Sequence, residues 1–420
     1  MFKKSITLIV IFLLLVAGSG WFVFMRGSSV PVGEAIKNIL PFGSSGEDIQ
    51  PTTDNQRPTT IINTNAEDNF LVNDESGKPV DDLLHLSSAP VAGAVSFISK
   101  GNTVVRYVDR ATGHIYDVTL PGPNSSSTPF KSNVTNQTIP KIYSAHFRPD
   151  GGAVLLRYLK GEEDVVENLS LTLTPPTATS TDSLYGIAAT TLRGDISAVA
   201  VGTGNTLFYA LSDSGAIVSS TFNNPVIKTL FTSTFTEWGL RSAGNTLWLT
   251  TKPSGQVVGR SYILNTSTNS LNRVLGPMNG LSVMPESSGT RVFYSYVEGL
   301  EPKSAVKNLK TGAVLDILPV TLADKCAWSI KKNNLVLCGV PDNGVGVNEP
   351  DNWYQGRSHY SDRLWLYNTT SEITQVILEP KSSFNLDLDI YQPQLSPNED
   401  YLIFINKSDL SLWAFKLGPF

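Results

Sequence analysis

The sequence predicts an all-β fold built from repeated strand units, and two observations carry this prediction. Hydrophobic residues make up 41% of the chain and charged residues only 16%, with 33 Gly and 25 Pro, a mix that suits short strands joined by polar turns. The stretch GNTLWLTTKPSG at 244–255 has near relatives at 204–215 and 101–113. In each copy a turn leads into an apolar run, a polar Gly turn and a second run, which is the pattern of a β-hairpin.

The hairpins belong to longer units, each of which divides into three or four apolar runs separated by turns. The units span 89–130, 139–176, 187–231, 235–276, 278–318, 323–379 and 384–417. Four-stranded units that repeat at roughly forty residues are typical of a β-propeller, because one blade cannot bury both faces of its sheet alone. The sequence therefore predicts a β-propeller of four-stranded antiparallel blades, with seven blades as the preferred count and six or eight as the alternatives.

The two ends of the repeat region predict how the ring closes. The last unit stops after its third strand at 410–417, and an unassigned strand, DDLLHLSS at 81–88, precedes the first unit. If 81–88 completes the final blade, closure removes the exposed sheet edges that would otherwise pair with other chains.

Four short stretches resemble the PD40-type, WD40-like repeat of TolB-like proteins and of the propeller domain of prolyl oligopeptidases. They are FRPDGG at 147–152, LWLY at 364–367, LSPNED at 395–400 and LWAF at 412–415. The resemblance covers most of 81–420 and implies a propeller. The sixth unit also resembles membrane-anchored propeller proteins of bacteria, a similarity that implies no activity.

The N-terminus predicts export. MFKK precedes 21 residues without a charge at 5–25, and Arg26 follows. A helix of that length spans roughly 30 Å of hydrocarbon, and the flanking Lys residues favour a cytoplasmic N-terminus. We expect a transmembrane signal anchor at 1–26, a flexible extracytoplasmic linker at 27–67 and the propeller at 68–420. A cleaved signal peptide is the alternative, since AGSG at 17–20 offers small residues.

Composition and motifs exclude several classes of function. The net charge is −5 without a basic stripe, so no nucleic-acid partner is expected. The four histidines have no metal-ligand spacing, and neither GxSxG nor a phosphate-binding glycine loop occurs. The α/β domain that carries catalysis in prolyl oligopeptidases is missing from the sequence. We expect no catalytic set, no metal and no cofactor.

The two cysteines flank a predicted hairpin. If the strands fold back around a three-residue loop at 331–333, Cys326 faces Cys338. Directly opposed Cβ atoms lie about 4.5–5.5 Å apart, near the range of a disulfide. The sequence favours a disulfide in an exported domain, and two free buried thiols are the alternative.

Two stretches carry candidate site residues. The insertion at 341–362 of the sixth unit is rich in aromatic residues with nearby charges, a composition found in recognition surfaces; packing onto the blade is the alternative. Its candidate binding residues are Trp353, Tyr354, Arg357, His359 and Tyr360. In NLDLDIYQP at 385–393, Asp387 and Asp389 are expected on one face of a strand leading towards the channel, where paired carboxylates could act as acid and base.

Together these patterns predict a membrane-anchored, non-catalytic binding or scaffold module for an envelope protein or an extracellular ligand. A propeller hydrolase of the carbohydrate-active type, with acidic residues at the channel mouth, is the alternative from another class. A structural envelope component that associates with itself is the third.

Overall fold

The computed structural model describes residues 70–73, 79–122, 125, 127–161, 165–177 and 183–418. The predicted anchor at 1–26, the whole predicted linker at 27–67 and residues 68–69 of the predicted propeller lie outside this range. Within the described residues no helix is long and apolar enough to cross a membrane.

The described strands form seven four-stranded antiparallel units, which we number as blades 1 to 7 in chain order. Two strands precede blade 1, β1 (Leu71–Asn73) and β2 (Pro79–Ser87). Blade 1 contains β3 (Val91–Ser99), β4 (Asn102–Asp109), β5 (Ile115–Thr119) and β6 (Phe130–Thr135). Blade 2 contains β7 (Ile142–Phe147), β8 (Ala153–Lys160), β9 (Val165–Thr174) and β10 (Gly186–Thr191). Blade 3 contains β11 (Ile196–Val201), β12 (Thr206–Leu211), β13 (Ala216–Thr221) and β14 (Asn224–Thr232).

Blades 4 and 5 share one long strand. Blade 4 contains β15 (Trp238–Ala243), β16 (Thr246–Thr251), β17 (Val258–Asn265) and the first half of β18 (Leu271–Pro285). Blade 5 contains the second half of β18, β19 (Arg291–Glu298), β20 (Glu301–Asn308) and β21 (Val314–Asp316). Gly276 lies inside the shared strand with φ +91, and a Cβ there would lie 2.5 Å from the Gly259 carbonyl oxygen. Only glycine fits this backbone and this close approach.

Blades 6 and 7 complete the ring. A 3₁₀ turn (Ala323–Lys325) leads into blade 6, which contains β22 (Cys326–Trp328), β23 (Leu335–Pro341), β24 (Asp362–Asn368) and β25 (Thr374–Leu378). Blade 7 contains β26 (Ile390–Leu395), β27 (Tyr401–Asn406) and β28 (Leu412–Lys416). Two short helices lie between these strands, α1 (Asp351–Tyr354) and α2 (Pro380–Phe384).

The first strand of each blade is innermost, and these inner strands form a closed circle. In order, β3 contacts β7, then β11, β15, the second half of β18, β22 and β26, and β26 returns to β3. The fourth strand of blade 7 is β2, which pairs with β28 through Leu83 opposite Phe415 and Leu84 opposite Ala414. The predicted closure by 81–88 is thereby confirmed, and β1 adds a fifth strand outside it.

The core of the described region is divided among the blade interfaces. Each of seven hydrophobic clusters combines buried residues of two neighbouring blades. For example, Leu83 packs between blades 6 and 7, whereas its neighbour Leu84 packs between blades 7 and 1. Alternate residues of a strand point to opposite faces of the sheet, so each blade stabilises both of its neighbours.

Two predicted unit boundaries were wrong. The sequence pattern places 187–191 in the third unit, but this segment lies in β10, the outer strand of blade 2, which pairs with β9. The pattern ends the first unit at 130, but β6 extends blade 1 to Thr135. Both segments are outer strands with few buried residues, none of six in β10 and two of six in β6. They therefore lack the apolar signal by which the inner strands are recognised in the sequence.

Candidate functional site

A cavity of about 920 Å³ lies on the axis of the ring. The inner strands of six blades line it, and blade 6 contributes Asp324 from the 3₁₀ turn. Two of these strands each line the cavity with two residues of one strand face. They are β3, through Ala92 and Ala94, and β11, through Val199 and Val201. Because much of this wall consists of short side chains, the axial space stays open.

One ion pair dominates the polar part of the cavity wall. The guanidinium of Arg241, on β15, donates to Asp324. The hydroxyl of Ser282 donates to Asp324 Oδ2 over 2.6 Å, and the hydroxyl of Tyr354 donates to the same oxygen. Burial and the neighbouring Asp324 carboxylate raise the pKa of the Tyr354 hydroxyl well above its usual range, so Tyr354 is a neutral donor at physiological pH. The Asp324 carboxylate is thus held by three side chains from three parts of the chain.

The insertion of blade 6 reaches across to blade 4. Its helix α1 is preceded by Pro350, and Asp351 Oδ2 accepts a hydrogen bond from the Gly255 N–H over 2.6 Å. Tyr354 and Gln355, at the end of the helix, line the cavity. The insertion therefore forms part of the rim of the cavity.

The structure separates the five candidate binding residues of the insertion. Trp353 is completely buried, with its ring edge against Tyr391 of blade 7 at a centroid distance of 5.8 Å. Tyr354 lines the cavity and is 39% exposed. Arg357 and His359 are exposed, whereas Tyr360 is half-buried. The five side chains therefore do not form one aromatic surface. Trp353 packs against the blades, which is the alternative to a recognition surface given for the insertion above.

A group of charged side chains lies completely buried beneath the insertion. Lys325 Nζ donates to Asp362 Oδ2 over 2.6 Å and also to Asp389 Oδ1. All three side chains have no exposed surface. The indole N–H of Trp353 donates to both Asp389 oxygens, over 3.0 and 3.1 Å. We call Lys325, Asp362 and Asp389 the buried charge cluster.

Asp387 and Asp389 do not form a pair at the channel. Asp389 belongs to the buried charge cluster, while Asp387 is exposed and bonded to Lys381 over 2.7 Å. Neither lines the axial cavity. The segment 385–389 is irregular rather than a strand, so the expected alternation of side chains does not apply there.

Cys326 and Cys338 face each other in the register of β22 and β23 and form a disulfide bond. Both residues are completely buried between blades 5 and 6. In the described part of the chain no group of three or more His, Cys, Asp or Glu side chains is arranged to hold a metal ion.

Sequence reasoning missed the residues that line the cavity, above all Arg241 and Asp324. A usable signal was present, because the first strand of each unit is innermost in a propeller. Arg241 occupies such a strand three residues before the Gly244 turn. Asp324 gives no comparable signal, since it lies in a 3₁₀ turn before the blade.

The ring of seven blades around an axial cavity defines the chain as a β-propeller. A scan against protein-family models finds no match, and neither does a search of curated proteins. Among solved structures, TolB from Acinetobacter baumannii is similar at 11% identity and a TM-score of 0.38, over 75% of this chain and 60% of that chain. The WD40 repeats of RRP9 are similar at 11% identity and a TM-score of 0.49, over 80% of this chain and 98% of that chain. The assignment of the chain as a β-propeller rests on its own sheets.

Proposed function

We propose that this propeller is a non-catalytic binding module that receives a segment of a partner protein in its axial cavity. The cavity carries the proposal. At about 920 Å³ it falls within the volume range of roughly 300–1,000 Å³ that is usual for binding pockets. Its rigid wall comes from several blades, so little ordering is needed when a ligand enters.

The charges around the cavity suit a partner segment that is polar and close to neutral. Arg241 and Lys252 line the cavity together with Asp324 and Asp351, which balances two positive against two negative charges. His146, also on the wall, is uncharged at neutral pH, because burial lowers its pKa to about 4. A strongly charged ligand would gain no net attraction here.

The proposal also includes the cell envelope as the location. The apolar run at 5–25 would anchor the chain, with the propeller on the outer side of the cytoplasmic membrane, and the partner would be another envelope protein. A variant that lacks residues 2–26 is expected to lose membrane association, measured by fractionation of cells. Retention of that variant in the membrane fraction would contradict the anchor.

Photo-crosslinking in cells tests the binding site. A photo-reactive residue is introduced into the full-length protein at Gln355 or at Gln392, which line the cavity. The control position is Val226 on β14, 72% exposed on the outer strand of blade 3. We expect one partner to be captured from both cavity positions and not from the control, and to be lost when Arg241→Ala is combined with the probe. Equal capture from all three positions would contradict the proposal.

A hydrolase remains the second candidate, because two carboxylates, Asp324 and Asp351, line the same cavity. Both carboxylates already accept hydrogen bonds from the protein, which supports a structural role for them. If a panel of oligosaccharide substrates is hydrolysed by the full-length protein, and Asp324→Asn and Asp351→Asn abolish the reaction, the hydrolase replaces the binding module.

A further inference from the structure

The buried charge cluster contains the reactants of a covalent bond. Lys325 carries a nucleophilic amine, and two carboxyl groups lie against it. The cluster is enclosed by aromatic rings, since Lys325 Nζ lies 5.0 Å from the ring centre of Trp353 and 5.1 Å from that of Tyr360. Held this way, the amine and the carboxyl groups behave as an intramolecular pair at a very high effective concentration.

Electrostatics disfavour the cluster as three separate ions. Taking one ammonium and two carboxylate groups out of water is costly even when they are paired, and here the two carboxylates outnumber the amine. Lys407 is only half-buried, and its Nζ donates to the Trp353 carbonyl oxygen over 2.6 Å rather than to either carboxylate. Condensation of one carboxylate with the amine would replace two buried charges with one neutral amide. Asp362 then has no ammonium partner, and once the reaction is complete it would take up a proton from solvent, because burial raises its pKa.

We infer that Lys325 and Asp389 form an isopeptide bond that joins blade 6 to blade 7, with Asp362 as the proton shuttle. In this step Lys325 Nζ attacks Asp389 Cγ and forms the C–N bond. The bond from Cγ to Oδ1 breaks. Asp362 takes protons from Nζ and passes them to the departing oxygen, so that one water leaves and Asp362 ends in its starting state. No oxidant or further reactant is needed.

The surroundings of the two carboxylates distinguish their roles. Asp389 Oδ2 accepts the Tyr360 N–H over 3.2 Å and the Trp353 indole N–H over 3.1 Å. Such donors stabilise the negative charge that develops on the oxygen of an attacked carboxyl group, and they would bond the finished amide carbonyl. Asp362 Oδ2 contacts Lys325 and the Ile390 N–H, while its Oδ1 has no hydrogen-bond partner among the described residues. Burial raises the pKa of Asp362 to about 6, which suits a group that takes up and returns a proton at neutral pH.

The same chain contains an internal comparison. Lys381 and Asp387 are paired over 2.7 Å, but both side chains are about half-exposed or more. This second Lys–Asp pair is accessible to solvent, and among the described residues no further carboxylate is bonded to its amine. We expect it to remain an ordinary ion pair.

Peptide mapping of the full-length protein tests the bond directly. After denaturation, reduction and alkylation, trypsin cleaves after a free Lys325 and releases the peptide 311–325. An acylated Lys325 is not cleaved, so we expect peptide 311–331 joined to peptide 382–407, with a mass one water below their sum. Cleavage after Lys381 should proceed normally.

Variants separate the roles of the three residues. Lys325→Arg and Asp389→Ala, which remove the amine and the acyl group respectively, are expected to restore the full intact mass of the variant chain. Asp362→Asn keeps both reactants and is expected to leave most chains without the bond, whereas Asp387→Asn should retain it. Release of 311–325 as the main form from the unaltered protein would overturn the inference. A link from 311–331 to 358–363 would overturn the assignment to Asp389. Because the decisive map uses the unaltered protein, it does not depend on whether any variant folds.

Discussion

Asp387 and Asp389 have the same side chain and are two residues apart, yet their surroundings are opposite. Asp387 is exposed beside Lys381, where an ion pair contributes about 0–1 kcal/mol. Asp389 is completely buried against Lys325, where a carboxylate without a partner would cost several kcal/mol. At this scale the role of a residue follows from what the rest of the fold places around it.

His146 supplies a pH-dependent prediction at the scale of one residue. It lies on the cavity wall but deep within the ring, and burial together with the Arg157 charge lowers its pKa from 6.5 to about 4. Between these values the unfolded chain binds a proton that the folded chain does not. His146 therefore costs stability as the pH falls from 6.5 towards 4, by at most about 3 kcal/mol.

The measurement is the free energy of unfolding of the unaltered protein and of His146→Gln, by urea denaturation at several pH values. We expect the difference between the two proteins to shift in favour of the variant as the pH falls through this range. Parallel pH curves for the two proteins would contradict the prediction.

At the scale of elements, the insertion at 341–362 is a structural part of the ring as well as its rim. Trp353 anchors it, because its indole bonds Asp389, its ring lies over Lys325 and Lys407, and its edge contacts Tyr391. The neighbouring Tyr354 faces the cavity instead. One short helix therefore supports the buried charge cluster with one side chain and shapes the cavity with the next.

This division predicts different effects of substitution within the insertion. Trp353→Ala is expected to lower the free energy of unfolding by about 3–5 kcal/mol, since it removes a completely buried ring. Arg357→Ala, at an exposed position of the same insertion, should stay within about 0.5 kcal/mol of the unaltered protein. Chemical denaturation of both variants is the measurement, and equal stability of the two would show that Trp353 is not the anchor.

At the scale of the whole molecule, stability depends on closing the ring with a strand from far along the sequence. β2 pairs with β28 although more than three hundred residues separate them. Each blade is held by clusters on both faces, so the loss of one blade exposes the faces of two others. The ring is therefore expected to unfold as a unit rather than blade by blade.

Leu83→Ala tests this coupling. Leu83 is completely buried in β2 between blades 6 and 7, and its truncation should cost about 2–5 kcal/mol. We expect a single unfolding transition, with hydrogen exchange accelerated in blades 1 to 7 alike. Faster exchange confined to blades 6 and 7 would indicate that the blades unfold independently.

The repeats made much of this fold predictable. The inner strands of most blades are predictable from local signals. These signals are turns such as that at Gly244 and the apolar runs beside them. The outer strands were harder to place. β10 and β6 carry few buried residues, and their pairing depends on the neighbouring strand rather than on their own pattern.

The candidate site was predictable only in part. The facing positions of Cys326 and Cys338 follow from strand register, which a short loop determines locally. Strand register does not predict that Lys325, Asp362 and Asp389 meet. These residues come from a turn, the start of a strand and an irregular segment. No spacing rule connects them.

By itself the sequence determined the all-β class, the repeat of seven units and the strand that closes the ring, because each depends on local turn chemistry and on alternation within single strands. Only the tertiary structure decided which side chains meet. The cavity takes residues from seven blades, and the buried charge cluster takes them from blades 6 and 7. Contacts between distant segments arise from the packing of whole blades, and that packing follows from buried area rather than from any short motif.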